Sequence, residues 1–193
     1  PTQVSRVAKV IKRLGREVGV TGDIAPELVA TILARRGYDA TPDLIRVVRP
    51  DLEPLPDPGQ MKNFEEAARI IAESIRRGEK IGINGDYDVD GVTAVAQTVR
   101  MLTTADTNFE WEIPDRATDG YGLSHRIVEK FLQSGCKTVV LFDHGIHSHA
   151  EIAALRAHGV RVVVFDHHKP GATLPDAVIV DPAQDGCGFA LYK

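Results

Sequence analysis

Cysteine is nearly absent from this chain: its 193 residues include only Cys136 and Cys187. They have no CxxC or Cys/His spacing, which excludes a disulfide framework and a thiolate zinc site. No run approaches the roughly 18 apolar residues that a membrane span needs. The N-terminal stretch PTQVSRVAKVIKRLG is basic but lacks the compact apolar segment and small-residue cleavage site of a secretory signal. These absences read as a cytoplasmic protein with no membrane partner. A basic excess is missing too, since 23 Lys/Arg against 27 Asp/Glu leaves a net charge of −4, which argues against a dedicated nucleic-acid coat. Wholesale disorder is excluded, because 43% hydrophobic and 26% charged residues is an ordinary globular composition.

The acidity that is present is local. Residues 1–80 hold 14 Lys/Arg and 12 Asp/Glu, whereas residues 81–193 hold 9 and 15. All seven histidines, at 125, 144, 147, 149, 158, 167 and 168, lie in that acidic part. Carboxylates and imidazoles in one region are the raw material of a cation site.

Hydrophobic spacing orders the chain. Val4, Val7, Val10/Ile11 and Leu14, interleaved with Arg and Lys, predict a basic amphipathic helix over 3–14, read as a solvated face rather than a DNA contact. Pro26-Glu27 opens a second helix that Gly37 stops, and Thr41-Pro42 opens a short third. The proline-rich stretch 50–58 reads as a linker. The expected division is therefore a helical N-terminal segment with linker, 1–58, and a second domain, 59–193. In the latter, helices are predicted over 61–77, 92–102, 125–132 and 149–157, and strands over 80–84, 109–113, 138–142, 160–165 and 177–180. Such alternation predicts an α/β fold: a mostly parallel sheet of about five strands with helices on both faces.

Three clusters each follow a predicted strand: Asp86-Tyr-Asp88-Val-Asp90-Gly91, Asp143-His144-Gly145 and Asp166-His167-His168. Ligands of open α/β sheets bind beyond the carboxyl ends of the strands, so the clusters should converge. Carboxylates crowd together only around something positive, and O/N donors suit Mn²⁺, Zn²⁺ or Fe²⁺, with Mg²⁺ as a further candidate. An EF-hand loop shares the DxDxDG opening, but its twelfth position here is Gln97, not Glu, and a strand precedes it. A solvated acidic turn would account for one cluster, not for three strand ends.

Gly85-Asp-Tyr-Asp-Val-Asp-Gly-Val-Thr-Ala94, Pro114-Asp-Arg116 with Gly120-Tyr-Gly-Leu-Ser124, Asp143-His-Gly145 and Asp166-His-His168 resemble the successive motifs of the DHH phosphoesterase superfamily. Within it, the first two segments are similar to the RecJ branch of single-strand-specific 5′→3′ DNA exonucleases. The resemblance implies Mn²⁺-dependent phosphodiester hydrolysis of single-stranded DNA in repair and recombination, with other repair proteins as further partners. It implies two ions, with Mg²⁺ as the substitute, held by Asp88, Asp90, Asp143 and His167, with Asp143 as the bridge. His168 and Arg116 fall on phosphate-contacting positions, and Asp86 on one that either binds metal or orients backbone amides. The alternatives within the resemblance are a phosphoesterase of small substrates (oligoribonucleotides, cyclic dinucleotides or pyrophosphate) and a non-catalytic DHH scaffold.

The chain departs from the pattern at three points. Asn84 stands where many relatives place a histidine ligand, His144 replaces a small polar residue, and the family's later Asp ligand is not found before Lys193. The DHH domain is therefore expected to be C-terminally incomplete, with Asp181-Pro182 a strand end. Ser148 and Glu151 read as a capping box beside His147 and His149. Arg116 has two readings, a phosphate contact or an ion pair with Asp115 or Asp119. Tyr121 is a candidate for base stacking, and Trp111 is expected in the core.

Overall fold

A computed structural model describes residues 2–6, 8–9, 26–37 and 57–189. The chain divides into two compact units, 1–56 and 57–193. In the first, residues 3–6 and 8–9 are helical, and helix α1 spans Pro26–Arg35. The rest of the predicted 3–14 helix, the one at Thr41-Pro42 and residues 50–56 of the linker lie outside the described residues.

The second unit alternates helices and strands: α2 Phe64–Arg76, β1 Ile81–Gly85, α3 Val89–Thr104, β2 Phe109–Glu112, α4 His125–Gln133, β3 Thr138–Phe142, α5 His149–Ala157, β4 Arg161–Phe165 and β5 Val178–Val180. The five strands form one parallel sheet in the order β2-β1-β3-β4-β5. Strands β1, β3 and β4 are largely buried because both faces are covered. On one face Val139, Leu141, Val162 and Val164 pack with Ile127, Phe131, Ile152 and Leu155 of α4 and α5. On the other, Ile81, Ile83, Val140 and Val163 meet Ala67 and Ile70 of α2 and Val95 and Leu102 of α3. Alternate residues of one strand thus serve two cores, which is why β3 and β4 read as continuous apolar runs.

Chain order reverses between β1 and β3: the path from β1 to β2 runs toward one edge, and that from β3 to β5 toward the other. The crevice at such a switch point is where this fold class binds ligands. One expectation fails at the edge. Trp111, expected in the core, is 51% exposed, because β2 is the outermost strand and pairs only with β1.

Candidate metal centre

The sheet register sets the site. Gly85 is the partner of Phe142, Phe142 of Phe165, and Phe165 of Val180. The next residues, Asp86, Asp143, Asp166 and Asp181, therefore stand in one row across four neighbouring strands. The ladder continues into the row: the N–H groups of Asp86, Asp143 and Asp166 donate to the carbonyls of Phe142, Phe165 and Val180 at 3.2, 2.8 and 3.1 Å. All four side chains are buried, at a strand spacing of roughly 4.8 Å. Sequence reading took Asp181 for a strand end, which it is, but missed the row, because register between distant segments is not written in local spacing.

The segment after β1 folds back so that its carboxylates face that row. A Cβ on Gly85 would lie 2.6 Å from the Gly91 carbonyl oxygen, and one on Gly91 would lie 2.4–2.8 Å from Asp86 backbone atoms. Only paired glycines let α3 start this close to β1. Asp88 is the N-cap of α3, its side chain accepting the Gly91 N–H, so the helix begins three residues before the predicted Val92. The positive end of a 16-residue helix thus points at the carboxylates.

Two triads result. Oxygens of Asp86, Asp88 and Asp143 lie within 4.8 Å of one another, as do ligand atoms of Asp143, His167 and His168. Asp143 is common to both, as a bridging ligand must be. His167 Nε2 is 2.9 Å from Asp143 Oδ1 and 3.7 Å from Asp90 Oδ2, which brings Asp90 into the group. Asp143 holds φ at +63°, in the left-handed region that a short polar side chain tolerates at modest strain. His168 is fixed by Asp166: Oδ1 accepts its ring Nδ1–H at 2.7 Å and the backbone N–H groups of His167 and His168, while Oδ2 accepts the N–H of Ile146. Tyr121 Oη stands 3.3 Å from the same ring.

Among the described residues no lysine or arginine pairs with Asp86, Asp88, Asp90 or Asp143, and His167 is the imidazole that meets Asp90 and Asp143. Burial, followed by the neighbouring Asp88 and Asp90 carboxylates, pushes the Asp143 carboxyl up to about 6. Burial also raises Asp86, against the Tyr87 backbone N–H that lowers it. Asp86 Oδ1 is buried with no hydrogen-bond partner among the described residues. Asp166 differs. Burial would raise it, but its hydrogen bonds to His168, Ile146 and His167 more than offset that and leave it below the ordinary carboxylate range. A divalent cation fits this donor set, since it supplies the positive charge that Asp86, Asp88 and Asp143 lack, through hard oxygen and imidazole ligands.

The remaining residues fall in three ways. Arg116 is exposed and stacks over the Tyr87 ring, Cζ to centroid 5.3 Å; neither Asp115 nor Asp119 bonds it. Asn84 is fully buried, its Nδ2 donating to the Glu112 carbonyl of β2 at 2.9 Å. His144 is also fully buried, with neither ring nitrogen partnered among the described residues, and burial pushes it down to about 4. The expected capping box is corrected: Ser148 is the N-cap of α5 but makes no side-chain cap bond. His147, Ser148, Tyr121 and Asp166 instead line a cleft of about 180 Å³.

The DHH family N-terminal domain matches residues 80–191, the segment that carries every residue of this cluster. The chain belongs to the DHH family. It is 37% identical over 179 residues to the single-stranded-DNA-specific exonuclease RecJ of Escherichia coli (strain K12), covering 90% of this chain and 30% of that protein. A crystal structure of exonuclease RecJ bound to manganese superposes with a TM-score of 0.62 at 38% identity, over 68% of this chain and 33% of that one. RecJ of Thermus thermophilus in complex with Mn²⁺ gives 0.64 at 29% identity, over 98% and 25%. This DHH chain thus spans about 30% of the E. coli relative's length.

Proposed function

We propose that residues 59–193 are a DHH phosphoesterase domain carrying the hydrolytic centre of a manganese-dependent exonuclease, which degrades single-stranded DNA from its 5′ end. The observation that carries the reading is the pair of triads sharing Asp143, in a family whose relatives named above are single-strand-specific or manganese-bound. Asp88, Asp90, Asp143 and His167 are the proposed ligands, with Asp86 completing the carboxylate side. Two Mn²⁺ ions held there would supply an activated water and neutralise charge developing on the phosphate, with Mg²⁺ as the alternative ion.

The chain's own residues do the rest. His168 bonds Asp166 through Nδ1–H, and in its imidazolium form the Nε2–H, 3.3 Å from the Tyr121 hydroxyl, donates to a phosphoryl oxygen. Arg116 offers a planar fork of donors that matches a phosphate. Its position over Tyr87, the residue between Asp86 and Asp88, supports this reading. A role in DNA repair and recombination, in the cytoplasm and alongside other repair proteins, accords with this substrate. Among the described residues no helix is long and apolar enough to cross a membrane.

The test is degradation of end-labelled oligonucleotides with Mn²⁺ and with EDTA. Shortening of single strands from the 5′ end, absent in duplex DNA and in Asp143→Asn, is expected. Hydrolysis confined to dinucleotides or cyclic dinucleotides would point to a small-substrate phosphoesterase. Mn²⁺ binding with no hydrolysis of any phosphodiester would point to a scaffold.

A further inference from the structure

The loop after β2 carries one arginine and two aspartates, and both aspartates are occupied elsewhere. Asp115 Oδ1 accepts the backbone N–H groups of Ala117 and Thr118 at 2.8 and 3.2 Å. Asp119 takes Arg126 Nε and Nη2 at 2.8 and 2.7 Å, and Ser124 Oγ at 3.2 Å. Among the described residues no carboxylate bonds Arg116. Its contact is the face of Tyr87, Cζ 5.3 Å from the ring centroid. Tyr87 is half-buried between Asp86 and Asp88, anchored by β1 on one side and by the α3 cap on the other.

This arrangement solves a specific problem. Four carboxylates, Asp86, Asp88, Asp90 and Asp143, would draw a free guanidinium among themselves and so compete with a metal. An aromatic face attracts the same cation through its quadrupole without giving it an anionic partner. A guanidinium lying over a ring keeps its in-plane N–H edges free for bidentate bonds to phosphate, which an ammonium cannot imitate.

We propose that Tyr87 is a positioning residue for Arg116: its ring holds the guanidinium beside the carboxylate cluster, edge-on to the phosphate of a single-stranded DNA end. The proposal rests on Arg116 being a phosphate contact, as read above. The aspartate before Tyr87 and the one after it face the metal, and the residue between them faces the arginine, so one turn of chain arranges both kinds of charge.

Two measurements test it. In the free ¹⁵N-labelled protein, the Arg116 Nε–Hε resonance is expected to show a ring-current shift that Tyr87→Phe keeps and Tyr87→Leu abolishes. With Mn²⁺ and a 5′-phosphorylated, 3′-fluorescein oligothymidylate carrying phosphorothioate linkages, anisotropy should show Tyr87→Leu binding about three- to fivefold more weakly, the size of one exposed cation–π contact. Tyr87→Phe should bind as wild type, and Tyr87→Leu should add nothing to Arg116→Ala. If Arg116→Ala weakens binding but Tyr87→Leu has no effect, or the same effect in both backgrounds, the platform is overturned and the phosphate contact stands. If Arg116→Ala binds as wild type, or the wild type binds no oligonucleotide, the phosphate reading falls and this inference with it. Should Tyr87→Leu fail to fold, Tyr87→Met carries the test, because it keeps a long apolar side chain but not the aromatic face. A roughly threefold loss is expected from it, and wild-type affinity would overturn the proposal.

Discussion

Asp166 illustrates how one carboxylate can support a site without facing its ligand. It accepts three backbone N–H groups and the His168 ring, so it stays ionised although buried, whereas burial pushes Asp143 beside it up to about 6. Asp166→Asn turns one acceptor oxygen into a donor that faces another donor. A loss of about 2 kcal/mol of stability is expected from one buried, unmade bond, checked by urea unfolding without metal. The family motif drew attention to the triplet 166–168, but nothing in the spacing separates the carboxylate that orients from those that bind. Burial of Asn84 and His144 was equally illegible, since both follow from what lies on adjacent strands. The Arg116–Tyr87 contact joins residues 29 positions apart and has no local signature, whereas the competing ion-pair readings did, and the structure removes them.

At the level of elements, most of the unit 57–193 was legible. Continuous apolar runs marked β3 and β4 because parallel strands bury both faces, and Gly78 and Gly135, both at positive φ, follow α2 and α4 in turns. Two elements were misread for nonlocal reasons. The start of α3 was set three residues late because its cap, Asp88, belongs to the acidic motif, and Trp111 was assigned to the core because nothing local makes β2 an edge strand. The close seat of α3 on β1 predicts that Gly91→Ala destabilises the fold by about 2–3 kcal/mol, since the new Cβ meets Asp86 backbone atoms at 2.4–2.8 Å; chemical denaturation measures this directly. The N-terminus of α4 gives a second prediction. Arg126 holds Asp119 well below the usual carboxylate range, first through their hydrogen bond. A depressed folded-state value means that this stabilisation is full above about pH 5 and is lost as pH falls through the lowered value. Arg126→Ala should cost about 1 kcal/mol at pH 7, the guanidinium being half exposed and screened, and the difference between variant and wild type should shrink at acid pH. Thermal unfolding at pH 7 and at pH 3 would reveal a difference that fails to shrink.

Across the whole molecule, the sheet gathers four aspartates in one row at the carboxyl ends of its strands. The net charge of −4 is therefore misleading as a guide to partners. Much of the acidity is concentrated where cations would neutralise it, and Arg116 lies over the Tyr87 ring with no carboxylate bonded to it among the described residues. The proposed function requires the carboxylates of Asp86, Asp88, Asp90 and Asp143, with His167, to hold divalent ions through Asp143. Calorimetric titration of Mn²⁺ into the wild-type chain and into Asp143→Ala tests this most directly. Saturable binding by the wild type, with loss of stoichiometry or a fall in affinity of at least about tenfold when the shared ligand is removed, is the predicted result. Equal affinity and stoichiometry in the two proteins would contradict it.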